Sequence, residues 1–508
     1  MARPRRPKTP ESLVNVGYGA LALRFGLPAV PHHCRSFIHP RSERATVVGP
    51  TGSEEYYPPR YHPGDELGDH LEFALKYEGL NLTILALLFQ RVGVDEVVAA
   101  VRRTPTGKYS RKVWFLYEFL TGTLLPLPDL ALGRYEALLD EEEYVVADPG
   151  RLNRRHMVRD NLLGNRFFCP LIRRTPALAG FVESALDRRC LAVLRKYPHE
   201  LLKRALDYLY TKETKSSFEI ERATPGQKRA SRFVELLRRA GQEEYLDKAA
   251  LIGLQHAIVD ERFANDDYRS AQNYVGETVR IGQERLHFVS PKPQDLPELM
   301  SGWLNTCKQM EDAKLHPVLM ATVAAFGFVF LHPFDDGNGR IHRFLIHHVL
   351  AKAGFSPEGV IFPVSATMLK QRAEYDRVLE LFSRPLMRLV EFDLDGRTGE
   401  LTVTNETGLY YRYIDFTEIV VGLFQFIQET IETELTSEFD FLVCYDRAKH
   451  GIQDVVDMPD RDIDLFIRLC VPNQGRLAKA KRQRFFGKLT DPEVQALEEC
   501  VQEAFGKG

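Results

Sequence analysis

The sequence is poor in cysteine, in long apolar runs and in net charge, and each shortage excludes a class of protein. Its seven cysteines are odd in number, far apart and without a CxxC pair, which favours a reducing compartment over a disulfide scaffold. The longest apolar run extends from Val318 to Leu331. It is shorter than the roughly 20 residues that span a bilayer, so we expect a buried helix there and no membrane segment.

An excess of charge of one sign is also missing. Lysine and arginine number 67 against 70 aspartates and glutamates, for a net charge of −3 over 508 residues, so a general polyanion binder is not predicted. The basic start, with Arg3, Arg5 and Arg6, is followed by an apolar stretch that Arg24 interrupts. A signal peptide is therefore not predicted, and the expected location is the cytoplasm.

The length and composition indicate about three globular domains. Residues 1–66 hold ten of the 29 prolines and are predicted to form a proline-rich N-terminal arm that is irregular or draped over other domains. Residues 67–210 and 231–395 carry apolar side chains at helical spacing, which predicts a helical N-terminal domain and a second helical domain. A β-hairpin is predicted near Val279–Val289. Residues 396–508 are expected to form a mixed α/β C-terminal domain with a strand at Leu401–Thr404.

Two further segments allow more than one interpretation. Residues 211–230 contain Ser216 and Glu219 at capping-box spacing, followed by Pro225, which is typical of a short helix in a linker. Residues 476–488 put six basic side chains around Phe485 and Phe486. That pattern suits either a nucleic-acid patch or a solvated helix face beside docked aromatic rings, and we favour the second.

The segment 331–343 reads LHPFDDGNGRIHR and joins two apolar helices through a tight turn. Gly337 and Gly339 permit backbone conformations in which successive N–H groups face one concavity, at the N-terminus of the second helix. These features make an anion site suited to phosphate. A glycine-rich connector with no chemistry is the alternative, but the side chains described next favour a functional loop.

Four side chains of this segment supply the remaining chemistry of phosphoryl or nucleotidyl transfer. Asp336 offers the hard oxygen that Mg²⁺ prefers. Arg340 and Arg343 lie on one face of the second helix and can bind phosphate oxygens. His332, just before the loop, can accept a proton at neutral pH.

The segment resembles the signature of Fic-domain proteins, His-x-Phe-x-(Asp/Glu)-Gly-Asn-Gly-Arg-x-x-Arg, with all eight fixed positions matched. The resemblance covers roughly residues 211–390 and implies a mainly α fold, in which a Fic-type helical core carries a small β-hairpin flap. It also implies protein adenylylation (AMPylation), the transfer of AMP from ATP to a Ser, Thr or Tyr hydroxyl of a target protein or of the chain itself.

The resemblance implies a role for each site residue. His332 would deprotonate the target hydroxyl, and Asp336 would hold Mg²⁺. The phosphates would lie on Gly337, Asn338 and Gly339, with Arg340 and Arg343 beside them. Phe334 would anchor the loop in the core. Tyr375 would face the adenine, and the hairpin would hold a segment of the target by strand addition.

The same resemblance gives a meaning to the segment at 217–222. It is similar to the inhibitory motif of the family, (Ser/Thr)-x-x-x-Glu-(Gly/Asn), through Ser217 and Glu221. Arg222 stands where the family has glycine or asparagine. The implied role of Glu221 is to pair with Arg343 and so to block productive placement of the ATP γ-phosphate.

Two alternatives to AMPylation stay open. The same site could transfer another nucleotide or reverse the modification. The motif does not separate these reactions, because its residues contact mostly phosphates and metal. A regulator that binds nucleotide or nucleic acid without turnover, through residues 476–488, belongs to another class; the intact His332 argues against it, and nucleic acid is not among the expected partners. The sequence does not identify the target protein or the oligomeric state, and it is compatible with a homo-oligomer.

Overall fold

The structure is a computed structural model that describes residues 13–39, 43–49, 52–131, 133–280, 283–357 and 359–506. The basic residues Arg3, Arg5 and Arg6 and the predicted hairpin turn at Gly282 lie outside this set. The described residues are mainly α-helical with a few small sheets, which confirms the predicted fold class.

The elements of the first part of the chain are β1 (Val14–Asn15), α1 (Gly17–Phe25), β2 (Cys34–Ile38), β3 (Ala45–Gly49), β4 (Gly52–Tyr57), α2 (Leu67–Phe73), α3 (Leu82–Arg91), α4 (Val94–Arg103), α5 (Lys108–Thr121), β5 (Glu136–Ala137), β6 (Arg151–Asn153), β7 (Val158–Asp160), α6 (Pro176–Glu183), α7 (Leu186–Leu194), α8 (His199–Ile220), α9 (Gln227–Arg239) and α10 (Lys248–Ile258).

The elements that follow are β8 (Tyr274–Arg280), β9 (Gln283–Val289), α11 (Leu296–Asp312), α12 (Pro317–Leu331), α13 (Asn338–Lys352), α14 (Val364–Lys370), α15 (Arg372–Leu386), β10 (Phe392–Leu394), β11 (Leu401–Val403), α16 (Gly408–Arg412), α17 (Thr417–Glu429), α18 (Thr436–Val455), α19 (Asp460–Cys470), α20 (Lys479–Phe485) and α21 (Asp491–Phe505).

The chain folds into two compact units, each assembled from three stretches. Of the described residues, the first unit contains those within 13–183, 242–350 and 373–423, and the second contains those within 184–241, 351–372 and 424–506. The sequence suggested consecutive domains instead. Composition and periodicity carry no information about which distant stretches pack together, so an interleaved arrangement leaves no sequence signal.

The N-terminal part of the first unit is more regular than its prolines suggest. Strands β1 to β4 form a sheet in the order β1-β2-β4-β3, in which β2 and β4 run parallel. The expectation of an irregular arm is therefore wrong for much of residues 13–57. Among the described prolines of this part, Pro28 and Pro58 lie outside the strands, where a missing N–H breaks no ladder.

Helices α2 to α5 of the same unit pack around one apolar core that includes Leu85, Trp114 and Leu116. The start of α3 is fixed by Asn81, whose side chain accepts a hydrogen bond from the Ile84 N–H at 2.9 Å and so satisfies a donor at the helix end. This part of the chain is helical, as the apolar spacing predicts.

Helix α12 lies in the core of the first unit and is buried on nearly all sides. Its sequence is almost entirely apolar, without a polar face, which is typical of a central helix. Pro317 occupies its first position, where the missing N–H costs nothing. Among the described residues, no helix is long and apolar enough to cross a membrane.

Helix α11 makes a close backbone contact at Gly302. A Cβ atom there would lie 2.6 Å from the Phe167 Cβ and 2.9 Å from the Phe168 backbone nitrogen. Asn165 fixes this approach, because its side-chain amide donates to the Gly302 carbonyl at 2.9 Å. Only glycine fits at this position without moving backbone.

Gly302→Ala is expected to lower the free energy of unfolding by about 1–3 kcal/mol, because overpacking forces the two segments apart. Gly253 in α10 is a matched control, since a Cβ there would meet no heavy atom of the described chain within 4 Å. Gly253→Ala should raise stability by about 0.5–1 kcal/mol. Thermal unfolding of both variants tests the pair, and a stabilising Gly302→Ala would contradict the close contact.

The second unit is built around α8. Glu213 of this helix is fully buried and accepts hydrogen bonds from the backbone N–H and the hydroxyl of Ser365. Lys212, one residue earlier, forms ion pairs with Glu434 and Glu438. Helices α18, α19 and α21 of the same unit close a separate apolar core around Ile467.

Candidate active site

The signature loop connects α12 to α13 in the first unit. His332 caps the C-terminus of α12, and α13 begins at Asn338, with the Ile341 N–H donating to the Gly337 carbonyl at 2.9 Å. The N–H groups in the first turn of an α-helix have no acceptor within the helix, so the positive end of α13 lies at the loop. The structure thus has the predicted order of helix, loop and helix.

His332 has a left-handed backbone, with φ 49° and ψ 56°. Its N–H still donates to the Phe328 carbonyl at 2.9 Å, which ends α12 cleanly. The Nδ1 atom lies 3.1 Å from the Val329 carbonyl oxygen. A carbonyl can only accept, so Nδ1 carries a hydrogen, and in the neutral imidazole the lone pair is therefore on Nε2. This is the tautomer that a general base with Nε2 requires.

Asn338 closes the loop with its side chain. The amide oxygen accepts from the Phe334 N–H at 3.1 Å, and the amide nitrogen donates to the Phe334 carbonyl at 2.7 Å. Phe334 is fully buried, as the resemblance implies for the core anchor. The side chain of Asn338 therefore shapes the loop, and only its backbone N–H is left for the predicted phosphate contact.

Asp336 is exposed at the end of the loop, and Gly337 after it is buried. Gly337 has a φ of 94°, a conformation that favours glycine. The Asp336 Oδ1 accepts from the Gly337 N–H at 2.6 Å and from the Arg340 guanidinium at 2.7 Å. The Asp336 side chain is 57% exposed, so its carboxylate is accessible from solvent.

The carboxylate of Asp336 fits the predicted magnesium ion in its chemistry. It is a hard oxygen donor beside a helix N-terminus, and Mg²⁺ is commonly bound by one or two carboxylates together with substrate phosphates. Within the described ranges, no group of three or more His, Cys, Asp or Glu side chains could hold a metal ion by itself. The donor set therefore suits an ion shared with a nucleotide.

Both predicted phosphate-binding arginines lie on α13 and are almost fully buried, Arg340 at 5% and Arg343 at 1% exposure. Between them, burial lowers the pKa of His342 to about 3, so this imidazole is neutral at physiological pH. Tyr375 of α15 is buried and stacks on His342, with ring centroids 6.2 Å apart. Its predicted contact with adenine stays a prediction.

The carbonyl groups of the loop are held by side chains that the sequence did not indicate. The Arg269 Nε donates to the His332 carbonyl at 2.9 Å, and its backbone N–H donates to the Pro333 carbonyl at 2.8 Å. Asn273 donates from Nδ2 to the Phe334 carbonyl at 3.0 Å. Side-chain bonds to distant carbonyls follow no spacing rule, so no motif could have revealed them.

Asn265 and Gln255 extend this support to the acidic part of the loop. Asn265 accepts from the Asp335 N–H at 3.2 Å and donates to the Asp335 carboxylate at 2.7 Å. Gln255 of α10 donates to the Asp336 carbonyl at 3.4 Å. The loop is therefore fixed along its length before any ligand binds.

The predicted hairpin is present as β8 and β9, paired antiparallel from Tyr274 opposite Val289. The strands are longer than the sequence suggested. Val275 and Val279 are exposed on β8 at 42% and 55%. The ring of Phe288 on β9 lies 6.4 Å from that of His332, which brings the hairpin beside the loop.

The segment with Ser217 and Glu221 belongs to the last turn of α8, a 22-residue helix of the second unit. The alternative of a short helix in a linker is therefore wrong. Ser217 is fully buried, and Glu221 is exposed at the C-cap. Arg372 supports this helix end by donating to the Ile220 carbonyl at 2.8 Å.

Arg222 adopts the left-handed conformation, with φ 55°. The Arg222 N–H donates to the Glu219 carbonyl at 2.9 Å, and the Ala223 N–H donates to the Phe218 carbonyl at 3.0 Å. These two bonds are the Schellman termination of a helix, which favours glycine or asparagine at the position of Arg222. Although Arg222 departs from the inhibitory motif, its backbone adopts the left-handed conformation that glycine or asparagine favours at this position.

Arg222→Gly is expected to stabilise the protein by about 0.5–1 kcal/mol, because glycine adopts this conformation without steric cost. Lys203, exposed in the interior of α8, is the matched control: Lys203→Gly should destabilise by about 1 kcal/mol. Thermal unfolding measures both. Equal destabilisation by the two glycines would show that Arg222 is not strained.

The basic stretch 476–488 includes α20. Arg482 is paired with Asp491. Phe486 is buried against Phe466, whereas Phe485 is 43% exposed below Arg484. One ring is therefore docked and the other faces solvent. This matches the expectation of a helix face beside docked rings for Phe486 only.

Comparison with known proteins gives a family match that includes the signature loop. The profile of the Fic/DOC family matches residues 245–350. The curated "Protein adenylyltransferase Fic" of Drosophila grimshawi is 34% identical over 128 residues, which cover 24% of this chain and 23% of that protein. The protein of the same name from Nematostella vectensis is 34% identical over 90 residues, or 18% of this chain and 19% of that protein. The chain thus spans about a quarter or less of each relative.

Two solved structures are also similar. A Fic family protein from Desulfovibrio desulfuricans G20 is 16% identical, with a TM-score of 0.37 over 63% of this chain and 87% of that chain. A Fic domain containing signaling protein from Bacteroides thetaiotaomicron is 19% identical, with a TM-score of 0.36 over 51% of this chain and 95% of that chain.

Proposed function

Because residues 245–350 match the Fic/DOC family, we propose that this chain is a protein adenylyltransferase that moves AMP from ATP to a Ser, Thr or Tyr hydroxyl. The acceptor hydroxyl belongs either to a target protein or to the chain itself. The observation that carries the proposal is the orientation of His332, whose Nδ1–H donates to the Val329 carbonyl at 3.1 Å. In the neutral imidazole that bond places the proton-accepting lone pair on Nε2.

The proposed reaction is an in-line displacement at the α-phosphorus. The hydroxyl oxygen bonds to the α-phosphorus, the bond from that phosphorus to the bridging oxygen breaks, and pyrophosphate leaves. His332 Nε2 takes the hydroxyl proton. The products are AMP-modified protein and pyrophosphate, so atoms and charge balance without a redox partner.

The other residues of the loop are proposed to bind the phosphates. The N–H groups of Asn338 and Gly339 lie at the start of α13, where a helix end favours anions. The Gly337 N–H, which donates to the Asp336 carboxylate in this structure, would exchange that acceptor for a phosphate oxygen. Arg340 and Arg343 add positive charge from the same helix. Asp336 would hold Mg²⁺, whose charge offsets that of the phosphates.

The hairpin is the proposed docking site of the target, near Val279–Val289. Support comes from the exposure of Val275 and Val279 on β8 and from the position of Phe288 beside the His332 ring. A strand of the target could add to an outer edge of the hairpin through backbone hydrogen bonds. Such pairing would select the register of the target more than its side chains.

We also propose that Glu221 restrains the activity by pairing with Arg343, as the inhibitory motif implies. The support is the match at Ser217 and Glu221, together with the helix termination that Arg222 retains. The pairing itself stays a prediction.

The decisive experiment is incubation of the full chain, in wild-type and Glu221→Gly form, with ATP labelled at the α-phosphate and with cell lysate. Labelled protein that carries an added AMP by mass spectrometry supports the proposal. Parallel reactions with UTP, CTP and GTP identify another nucleotide as the donor, and incubation with AMP-modified protein detects removal. Label from none of the four nucleotides in either form would refute nucleotidyl transfer.

A further inference from the structure

Arg269 is 3% exposed, and its guanidinium donates hydrogen bonds to backbone carbonyls. Besides the bond from Nε to the His332 carbonyl, one terminal nitrogen donates to the Ala271 carbonyl at 2.7 Å and the other donates to the Pro291 carbonyl at 2.6 Å. Its backbone N–H holds the Pro333 carbonyl. One residue thus makes four hydrogen bonds to three separate points of the backbone.

Those points are the two ends of the hairpin and the start of the signature loop. Ala271 precedes β8, Pro291 follows β9, and His332 and Pro333 open the loop. The planar guanidinium presents its donors in a fixed fork, so the three carbonyls are held at set distances from one another. A displacement of the hairpin base would therefore be transmitted to the backbone of His332.

Burial of this cation is costly, which makes a passive role a poor explanation. Burial lowers the pKa of Arg269 to about 10, so the group is still charged at neutral pH. A charged group removed from water costs several kcal/mol unless hydrogen bonds compensate. An apolar side chain could fill the same volume without that cost, but it could not connect the three carbonyls.

We propose that Arg269 is a positioning residue for the transfer reaction: it fixes the backbone of His332 to the base of the hairpin, so that a hydroxyl held by the hairpin meets Nε2. The inference rests on the proposed function. Arg269 touches neither nucleotide nor hydroxyl in this scheme. Its loss should therefore reduce turnover and leave the phosphate site on α13 intact.

A cavity beside Arg269 allows a direct test. It has a volume of about 460 Å³, which is ample for a small cation. Its lining includes Lys248, Asp267, Tyr268, Leu296 and Asn305 together with Arg269. Truncation of Arg269 would extend this cavity toward the three carbonyls, and a free guanidinium ion could then take the place of the missing fork.

The experiment compares Arg269→Ala and Arg269→Lys in the Glu221→Gly chain, with labelling by α-labelled ATP measured over a range of ATP concentrations. Both variants should lose about 100-fold in kcat, as expected for a misplaced reacting group, with the KM for ATP within about twofold, consistent with an unaltered phosphate site. Lysine should not substitute, because an ammonium cannot serve three carbonyls in one plane.

Guanidinium chloride should restore at least about a tenth of the lost kcat to Arg269→Ala and none to Arg269→Lys, whose side chain fills the space. Hydrogen exchange should be faster at residues 332–336 and 271–274 of Arg269→Ala. Arg262, whose side chain is 79% exposed on the same connecting segment, provides the matched control, and Arg262→Ala should not change kcat.

Each contrary outcome has its own meaning. Unchanged kcat in folded Arg269 variants overturns the positioning role and leaves the proposed function standing. A loss of kcat that guanidinium does not restore, together with a raised KM for ATP or a lowered melting temperature, reduces Arg269 to a structural residue. Absence of labelling in the parent chain removes the proposed function and this inference together.

Discussion

His332→Ala is expected to lower the rate of AMP transfer by about 10²–10⁴-fold, the usual contribution of a positioned general base. The affinity for ATP should change little, because the phosphates are proposed to bind α13 and not the imidazole. The measurement is the initial rate of labelling by α-labelled ATP, with nucleotide binding followed separately by calorimetry.

The left-handed backbone of His332 makes the choice of control variants important. Alanine is strained at a φ of 49°, so part of any loss could come from a shifted loop. His332→Gly relieves that strain, and His332→Asn tolerates the conformation and keeps a side-chain donor. Neither residue can accept the proton, so all three variants should be equally inactive.

His450→Ala, on the exposed part of α18, should be fully active and controls for the loss of a histidine. Transfer by His332→Gly or His332→Asn at more than about a tenth of the wild-type rate would contradict the role of Nε2 as the base. If His332→Ala alone were inactive, loop geometry and not proton transfer would be the cause.

The loop and its two helices could be predicted from the sequence because their information is local. Gly337 needs its positive φ, the apolar run before His332 is long enough for a buried helix, and Asn338 bonds to a residue only four positions away. Spacing and composition therefore describe this region well. The fixed positions of the signature lie within one short segment for the same reason.

The groups that hold the loop could not be predicted. Arg269 lies 63 positions from His332, and Asn265 lies 70 positions from Asp335. A side chain that donates to a backbone carbonyl needs no particular residue type at the other end, so no pair of residues in the sequence marks the contact. Polar residues between α10 and the hairpin resemble those of any exposed loop.

The N-terminal sheet could not be predicted for a different reason. A high proline content predicts an irregular backbone. Strands β2 and β4 contain no proline, however, and they pair in parallel across more than a dozen intervening residues. Short strands joined by proline-containing connections give a composition close to that of an irregular arm. Buried and exposed residues alternate in β2, but the buried side includes Ser36 and the other side Phe37, so the residue types do not show this alternation in the sequence.

Glu221→Gly is expected to raise the rate of AMP transfer by about tenfold or more, which corresponds to the loss of about 1.4 kcal/mol of inhibitory interaction. The proposed reason is electrostatic: a carboxylate paired with Arg343 competes with the γ-phosphate for the same guanidinium. Glu221→Gln should raise the rate as well, because it removes the charge and keeps the size of the side chain.

Glu219→Gln is the matched control, since Glu219 is exposed on the same turn of α8 and is not part of the inhibitory motif. It should leave the rate unchanged. Arg343→Ala should stay slow with or without Glu221, because the arginine is proposed to bind the phosphate that the glutamate displaces. An increase with Glu219→Gln equal to that with Glu221→Gln would indicate general loosening of the helix end. No increase with Glu221→Gly, in a chain that transfers AMP, would mean that the inhibitory motif is present here without its function, and Arg222 would then be the first residue to replace with glycine.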